Sequence, residues 1–256
     1  MALPAHVWDH FDPGRDLVGL SWWLYALASL ATLTLLLPLW QSWRRWGHFS
    51  HARKAFTLYL ALELAIEVAC FALGRARIEN LWLSHLAIPV ETALIIRAFS
   101  YWQVDGLARA TLYYGAPVML AFWLPWGFGW EPLNGFSIGT ESIQAVLCLA
   151  VACYTVVRRS MDDNGYGTEQ PWFWIGGGVM LYFATFALLS PLSGYLLGHS
   201  PDTAISVFAV RSGFQILANL LYFLGMRCPP SPQNSGPFMS PPRSSPSFWW
   251  SRPGPP

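Results

Sequence analysis

The sequence has few charged residues. Asp, Glu, Lys and Arg make up 11% of its 256 residues, against about 25% in typical soluble domains. Lysine, which soluble surfaces use freely, occurs once, as Lys54. So few charges cannot cover the surface of a soluble protein of this size. The net charge of +1 and the lack of a recognisable binding motif also give no reason to expect a nucleic acid as a partner.

Signatures of metal and cofactor sites are missing as well. The chain contains no H-E-x-x-H and no P-loop pattern. Its lysine lies outside the apolar segments, so the last of them offers no Schiff-base partner for a retinal. The four cysteines lie within apolar segments or just past the last one, and we predict no structural disulfide. We therefore predict no catalytic residues, no metal and no cofactor, and interpret the protein as non-enzymatic.

Long apolar runs dominate the chain. Apolar residues make up 54% of it, and many of its 15 tryptophans and 10 tyrosines stand at the ends of apolar runs. Membrane proteins place these residues near the lipid headgroups. Seven runs meet the length of roughly 17–25 residues that a spanning helix needs. We therefore predict an all-α membrane protein with seven transmembrane helices, near residues 17–40, 55–74, 81–102, 110–126, 137–157, 172–189 and 204–226.

Basic residues indicate the orientation. With the N-terminus outside, the inside-facing segments hold eleven of the 15 Lys and Arg residues, the outside-facing segments hold three, and Arg211 lies within the last span. Because basic residues favour the cytoplasmic side, we predict the N-terminus out and the C-terminus in. The expected parts are a short external leader (1–16), the transmembrane bundle (17–227) and a Pro- and Ser-rich cytoplasmic tail (228–256) that we expect to be disordered.

Acidic residues inside the predicted spans are the first candidates for a site. The second span contains Glu63 and Glu67, which are four residues apart and therefore lie on one helix face. The third span adds His85 and Glu91. A charge inside a bilayer is costly unless it is paired, protonated or hydrated. We therefore expect these side chains to face the interior of the bundle.

Polar residues of the last span are the expected partners of these acids. Arg211, Gln215 and Asn219 recur every four residues and form a stripe along one face. Arg211 should lie at about the depth of Glu67, and we expect it to pair with the acids of the second span. Three acids then face one arginine, so at least one Glu should be protonated or bind a cation.

Several functions fit this pattern. Our first interpretation is a bundle that binds or senses a small external ligand, an ion or a proton. A proton- or cation-coupled transporter is the first alternative, and a lipid-acting intramembrane enzyme with His85 and a Glu as acid and base is the second. The same residues also fit a structural network that fixes helix packing. The predicted site residues are Glu63, Glu67, His85, Glu91, Arg211, Gln215 and Asn219.

Three segments carry a resemblance to known proteins. They are NLWLSHLAIPVE (80–91), FWIGGGVMLYF (173–183) and NLLYFLG (219–225). In these segments the chain resembles a group of uncharacterised bacterial seven-helix membrane proteins, over about residues 17–227. The resemblance implies the seven-helix topology and a multi-pass location in the bacterial inner membrane, with the lipid bilayer as partner. It implies no activity and no partner for the tail.

Overall fold

The computed structural model describes residues 22–76, 78, 80–130, 138–162, 167–197 and 201–229. These residues form α-helices and two short 3₁₀ turns, at Trp46–His48 and Gly167–Glu169, and they contain no strand. The helices are α1 (Trp22–Thr34), α2 (Leu36–Arg45), α3 (His51–Arg75), α4 (Leu81–Ser100), α5 (Gly106–Trp130), α6 (Ile138–Asp162), α7 (Pro171–Leu197) and α8 (Pro201–Arg227). The predicted leader and the predicted tail beyond residue 229 lie outside the described residues.

Five stretches of the described chain are long and apolar enough to cross a membrane. They are Ala26–His48, His51–Arg75, Trp82–Ser100, Gly139–Asp162 and Pro171–Leu189. The prediction of a helical protein with several apolar spans is therefore confirmed. The other two predicted spans correspond to α5 and α8, which are helical. The number of seven spans and their orientation stay predictions.

Most of the helices form a closed ring. α3 packs on α4, α4 on α6, α6 on α7 and α7 on α8, while α8 packs on α1 and α2, and α2 returns to α3. α5 packs on α4 outside this ring. Apolar side chains such as Phe56, Phe99, Phe183 and Met226 are buried in the core. The ring gives α3, α4, α6, α7 and α8 a common interior, where the polar groups described below meet.

The first predicted span is broken rather than continuous. The break lies at Leu35, between α1 and α2. Pro38 follows three residues later, and proline has no N–H for the helical ladder. The amide of Leu35 donates to the Thr32 carbonyl at 3.1 Å, a tighter turn than the α-helical bond to Ala31. The Ala31 carbonyl is therefore left without its helical donor.

Asn219 on α8 compensates for this break. Its Nδ2 donates to the Ala31 carbonyl (3.2 Å) and to Thr34 Oγ1 (2.9 Å). Thr34 Oγ1 in turn donates to the same carbonyl at 2.6 Å. The polar stripe of the last span predicts Asn219 as a site residue, but the structure places its amide in the packing between α8 and α1.

We expect Asn219→Ala to lower the free energy of unfolding by about 1 kcal/mol, because a buried acceptor loses one donor while the Thr34 hydroxyl keeps its bond. The cost should be smaller in a Pro38→Ala background, because residue 38 could then donate to the Thr34 carbonyl, the helix could continue through residue 35, and the Leu35 amide could return to the Ala31 carbonyl. Melting temperatures of the single and double variants in detergent measure the difference. Equal costs in both backgrounds would show that Asn219 does not act on the break.

α7 and α8 approach each other closely at a glycine. A Cβ added to Gly178 would lie 2.5 Å from Tyr222 Cε1 and 3.1 Å from the carbonyl oxygen of Ala218. Its neighbour Gly177 faces open space, with nothing within 4 Å of an added Cβ. Only a residue without a side chain therefore fits at position 178, where it lets the Tyr222 ring lie against the α7 backbone.

Two arginines bind the C-terminal end of α8. Arg45 Nη1, at the end of α2, donates to the Arg227 carbonyl at 2.8 Å. Arg53 Nη1, near the start of α3, donates to the Cys228 carbonyl, also at 2.8 Å. The last carbonyls of a helix lack helical donors and carry partial negative charge. The two guanidinium groups therefore cap α8 and tie the first loop of the chain to its last helix.

The end of α4 is capped in the same way. Arg159 Nε, from α6, donates to the Trp102 carbonyl at 2.5 Å. Arg109 Nη2, from α5, donates to the Gln103 carbonyl at 2.8 Å. These contacts bring the ends of α4 and α6 together with the start of α5. The helices α2, α4, α6 and α8 all end on this side of the bundle. We call this side the basic end.

Candidate functional site

Two acidic side chains meet inside the bundle. Glu63 lies near the middle of the 25-residue helix α3, and Glu91 lies near the middle of the 20-residue helix α4. Their carboxyl groups are within hydrogen-bonding range of each other. Glu91 is 8% exposed, and Glu63 is partly buried. A hydrogen bond between two carboxyl groups requires a proton on one of them, so this acid pair has the geometry to hold a shared proton.

Gln144 on α6 anchors Glu91 from another side. Its Nε2 donates to Glu91 Oε2 at 3.3 Å and to the Ile88 carbonyl at 3.2 Å. The Ile88 carbonyl also accepts a bond of 2.7 Å from Thr92 Oγ1. The amide is buried and bonds both the backbone and the carboxyl of α4. Gln144 therefore joins α6 to the carboxyl that reaches across to α3.

Tyrosines surround the Glu63 side of the acid pair. Tyr182 on α7 donates its hydroxyl to Glu63 Oε1 at 3.4 Å. Tyr59, one turn before Glu63, and Tyr222 on α8 lie close enough to Glu63 to interact electrostatically. The Tyr222 side chain is 2% exposed, and its hydroxyl has no hydrogen-bond partner among the described residues. A buried hydroxyl near the acid pair is therefore available as a donor or an acceptor.

Arg211 lies on an aromatic ring, and its expected ion pair with the acids of α3 stays a prediction. Its guanidinium carbon is 3.3 Å from the centre of the Phe186 ring. That ring lies 4.7 Å from the ring of Tyr182, centre to centre. Ring faces attract cations. The rings of Phe186 and Tyr182 therefore connect Arg211 to the tyrosine that bonds Glu63.

The other predicted residues are buried or partly buried on the same helices, α3 and α4, and on α8. Glu67 follows Glu63 by one turn on α3 and is partly buried. His85 is buried near the start of α4, and Gln215 is buried on α8 one turn before Asn219. Of the predicted residues, the structure thus brings Glu63 and Glu91 into contact with each other.

The assembled site is a cluster of hydrogen-bonding side chains. Carboxyl, amide and phenol groups from α3, α4, α6 and α7 form it, and each donates or accepts hydrogen bonds. Within the described part of the chain, no group of three or more His, Cys, Asp or Glu side chains is placed to hold a metal ion.

Sequence reasoning missed the tyrosines as neighbours of the acids. Tyrosines in apolar runs are also typical of lipid-headgroup belts, which conceals an interior role. Two signals were available in the sequence: Tyr59 stands four residues before Glu63, on the same helix face, and Tyr182 lies well inside α7 rather than at its end. The sequence indicates that Gln144 faces the interior of the bundle, but its contact with Glu91 depends on the packing of α6 against α4.

One short motif lies between α5 and α6. Residues 135–139 read GFSIG, which fits G-x-S-x-G. In hydrolases the serine of this motif sits on a turn from a strand into a helix. Here the preceding described element is α5, a helix that ends at Trp130, and Ser137 lies outside the described residues. Among the described residues, no strand precedes the motif as it does in hydrolases.

Comparison with protein-family models, curated proteins and solved structures gives no match. The resemblance to bacterial seven-helix membrane proteins thus stays a prediction.

Proposed function

We propose that the chain is a multi-pass protein of the bacterial inner membrane, with seven spans, its N-terminus outside and its C-terminus in the cytoplasm. Large apolar side chains on the outer faces of the helices support this location, because water-soluble proteins rarely expose so many. Examples on four different helices are Phe71, Phe122, Val146 and Leu188. The arginines at the basic end support a cytoplasmic position for that end.

Within the membrane, the function that the geometry supports best is non-enzymatic proton binding and sensing by the acid pair. The observation that carries the proposal is the hydrogen-bonding contact of the Glu63 and Glu91 carboxyl groups inside the ring. With the proton present, the pair holds α3 and α4 together. Without it, two negative charges face each other in a poorly solvated interior and repel strongly. Proton loss therefore pushes the two helices apart.

The groups around the acid pair determine how the bundle responds. Gln144 and Glu141 face Glu91 from α6, and Tyr182 faces Glu63 from α7. The phenol groups of Tyr59 and Tyr222 also lie close enough to Glu63 to interact with it electrostatically. Arg211 acts electrostatically on Tyr182, which makes it the cation that a deprotonated pair would attract. A shift of Arg211 from Phe186 towards the pair would carry the signal to α8.

A proton-coupled transporter is the second candidate. The feature that favours it is the unequal burial of the pair: Glu63 is partly exposed, whereas Glu91 is 8% exposed. A proton that arrives at Glu63 has a neighbouring buried acceptor. Transport additionally requires release on the other side of the membrane. Proteoliposomes with an imposed pH gradient separate the two functions, because a transporter dissipates the gradient and a sensor does not.

Infrared spectroscopy of the purified protein tests the shared proton directly. At neutral pH we expect the carbonyl band of a protonated carboxyl group, shifted when H2O is replaced by D2O. Glu63→Gln and Glu91→Gln should each remove this band, because the glutamine amide replaces the protonated carboxyl as the hydrogen-bond donor. Glu67→Gln, one turn away on the same helix, is the matched control and should keep the band.

The pH dependence of the melting temperature provides a second measurement. A folded state that holds one more proton than the unfolded state loses stability as the pH rises. The wild type should therefore melt at a lower temperature at alkaline pH, and Glu91→Gln should show a flatter dependence. A wild type without the carboxyl band, or a band that persists in both pair variants, would contradict proton binding by this pair.

A further inference from the structure

Tryptophans at the basic end project away from the protein. Trp40, Trp43 and Trp46, at the end of α2 and in the turn after it, are 63%, 83% and 42% exposed. They follow the exposed leucines Leu33 and Leu36 along the same broken helix. Tryptophan in membrane proteins favours the level of the lipid headgroups. We name this exposed face, from Leu33 to Trp46, the tryptophan strip.

Two cations lie over rings of the tryptophan strip. The Arg44 guanidinium carbon is 6.0 Å from the centre of the Trp40 ring, and Lys54 Nζ is 5.7 Å from that of Trp46. Cation–ring contacts at this distance position a charge without using its N–H donors. No acidic residue occurs between positions 17 and 62. The strip therefore presents N–H donors that no acid of its own segment can neutralise.

Other arginines at the basic end are used differently. Arg45, Arg53, Arg109 and Arg159 each donate to a backbone carbonyl, and Arg97 donates to the Tyr113 carbonyl at 3.2 Å. Side-chain hydrogen bonds of this kind are not formed by Arg44 or Lys54 within the described part of the chain. The difference separates basic residues that hold the fold from others, Arg44 and Lys54 among them, whose N–H donors are available to a ligand.

We propose that the tryptophan strip binds the headgroup phosphate of an anionic phospholipid in the leaflet at the basic end. Arg44 and Lys54 would donate to the phosphate oxygens, Trp40 and Trp46 would hold the two cations at headgroup depth, and Leu33 and Leu36 would contact the acyl chain. This inference rests on the proposed membrane location of the chain and not on the acid pair.

Lipid binding to the purified full-length protein tests the proposal. Native mass spectrometry in a neutral detergent measures binding of dioleoyl phosphatidylglycerol and dioleoyl phosphatidylcholine. We expect the wild type to prefer the anionic lipid, and the double variant Arg44→Gln/Lys54→Gln to lose roughly fivefold in affinity for each charge removed. Arg158→Gln is the control, because Arg158 is an exposed cation at the same end and makes no aromatic contact among the described residues. It should keep the preference.

Two further arms keep the test decisive. If the double variant does not fold, Trp40→Ala replaces it, since this ring is 63% exposed and lies under the Arg44 guanidinium, and its loss should weaken binding of the anionic lipid severalfold without affecting the core. Inorganic phosphate is added as a competitor, and effective competition would identify a free anion as the ligand and overturn the lipid proposal. Equal binding of both lipids by the wild type, or equal losses in the double variant and Arg158→Gln, would also overturn it.

The infrared band of the acid pair should be the same in all these variants, so failure of either proposal is visible separately.

Discussion

Gly178→Ala should lower the free energy of unfolding by about 1–3 kcal/mol, because it adds a methyl group where the core has no room. The added Cβ would lie 2.5 Å and 2.7 Å from two atoms of the Tyr222 ring and 3.1 Å from the Ala218 carbonyl oxygen. The ring is fully packed, and the carbonyl belongs to the α8 backbone, so neither can move aside alone. Relief therefore requires α7 and α8 to separate.

Gly177→Ala is the matched control for this substitution. The position is adjacent, helical and open, with nothing within 4 Å of the added Cβ. Alanine is a better helix former than glycine by roughly 1 kcal/mol, so this variant should be as stable as the wild type or more stable. Melting temperatures in detergent compare the two, and equal effects at both positions would contradict the close approach of α7 and α8. Gly178→Ala should also perturb the infrared band of the acid pair, because Tyr222 is one of its neighbours.

Arg53→Ala should lower the free energy of unfolding by about 2–3 kcal/mol. Arg53 is 2% exposed, donates to the Cys228 carbonyl at 2.8 Å, and has its guanidinium carbon 4.5 Å from the centre of the Phe49 ring. The substitution removes a charge-assisted hydrogen bond and leaves a carbonyl at the end of α8 without its donor. Arg53→Met keeps much of the packing on Phe49 and separates the loss of the donor from the loss of contact.

Lys54→Ala is the control for Arg53→Ala, since Lys54 is the next residue and carries the same charge. Its side chain lies over Trp46 rather than on a helix end, so the cost should stay below about 1 kcal/mol. A cost equal to that of Arg53→Ala would show that the positive charge matters and the cap does not.

Alkylation of Cys228 gives a second readout of the same cap. Burial raises the pKa of the Cys228 thiol, and the nearby Arg53 guanidinium opposes that shift less strongly. Because the thiolate is the reactive form, the wild-type thiol should react slowly at neutral pH and faster as the pH rises. In Arg53→Ala the end of α8 should loosen and expose the Cys228 thiol. Because burial raises the pKa of this thiol more than Arg53 lowers it, the net result should be faster alkylation of Cys228. Peptide mass spectrometry distinguishes Cys228 from the other cysteines, and an unchanged rate would indicate that the cap is not needed to bury it.

The helices could be predicted from the sequence, because length and apolarity decide them locally. Glu63 and Glu91 could be selected as interior residues for the same reason, since a bilayer makes lipid-facing acids costly. Their contact with each other could not be predicted. It depends on how α3 and α4 are rotated about their axes, and the short connection between them leaves that rotation open.

Arg211 and Asn219 show a second limit. Spacing places both on one face of α8, and charge alone favours an ion pair between Arg211 and α3. The structure places Arg211 on Phe186 because an aromatic face was nearby, a competitor that charge counting ignores. Asn219 bonds α1 because Pro38 disrupts the ladder there. The sequence shows the proline, but it does not show which helix supplies the compensating hydrogen bond.

The closing contacts of the ring also have a consequence for biosynthesis. Arg45 and its acceptor are 182 positions apart, and Arg53 and its acceptor are 175 apart. α1 and α2 leave the ribosome first, yet they pack on α8, which leaves last. A growing chain therefore cannot seal the ring until nearly all of it has been inserted, and contacts over such distances form slowly. A chain truncated before α8 would keep two arginines without these acceptors and an uncovered face on its first helices.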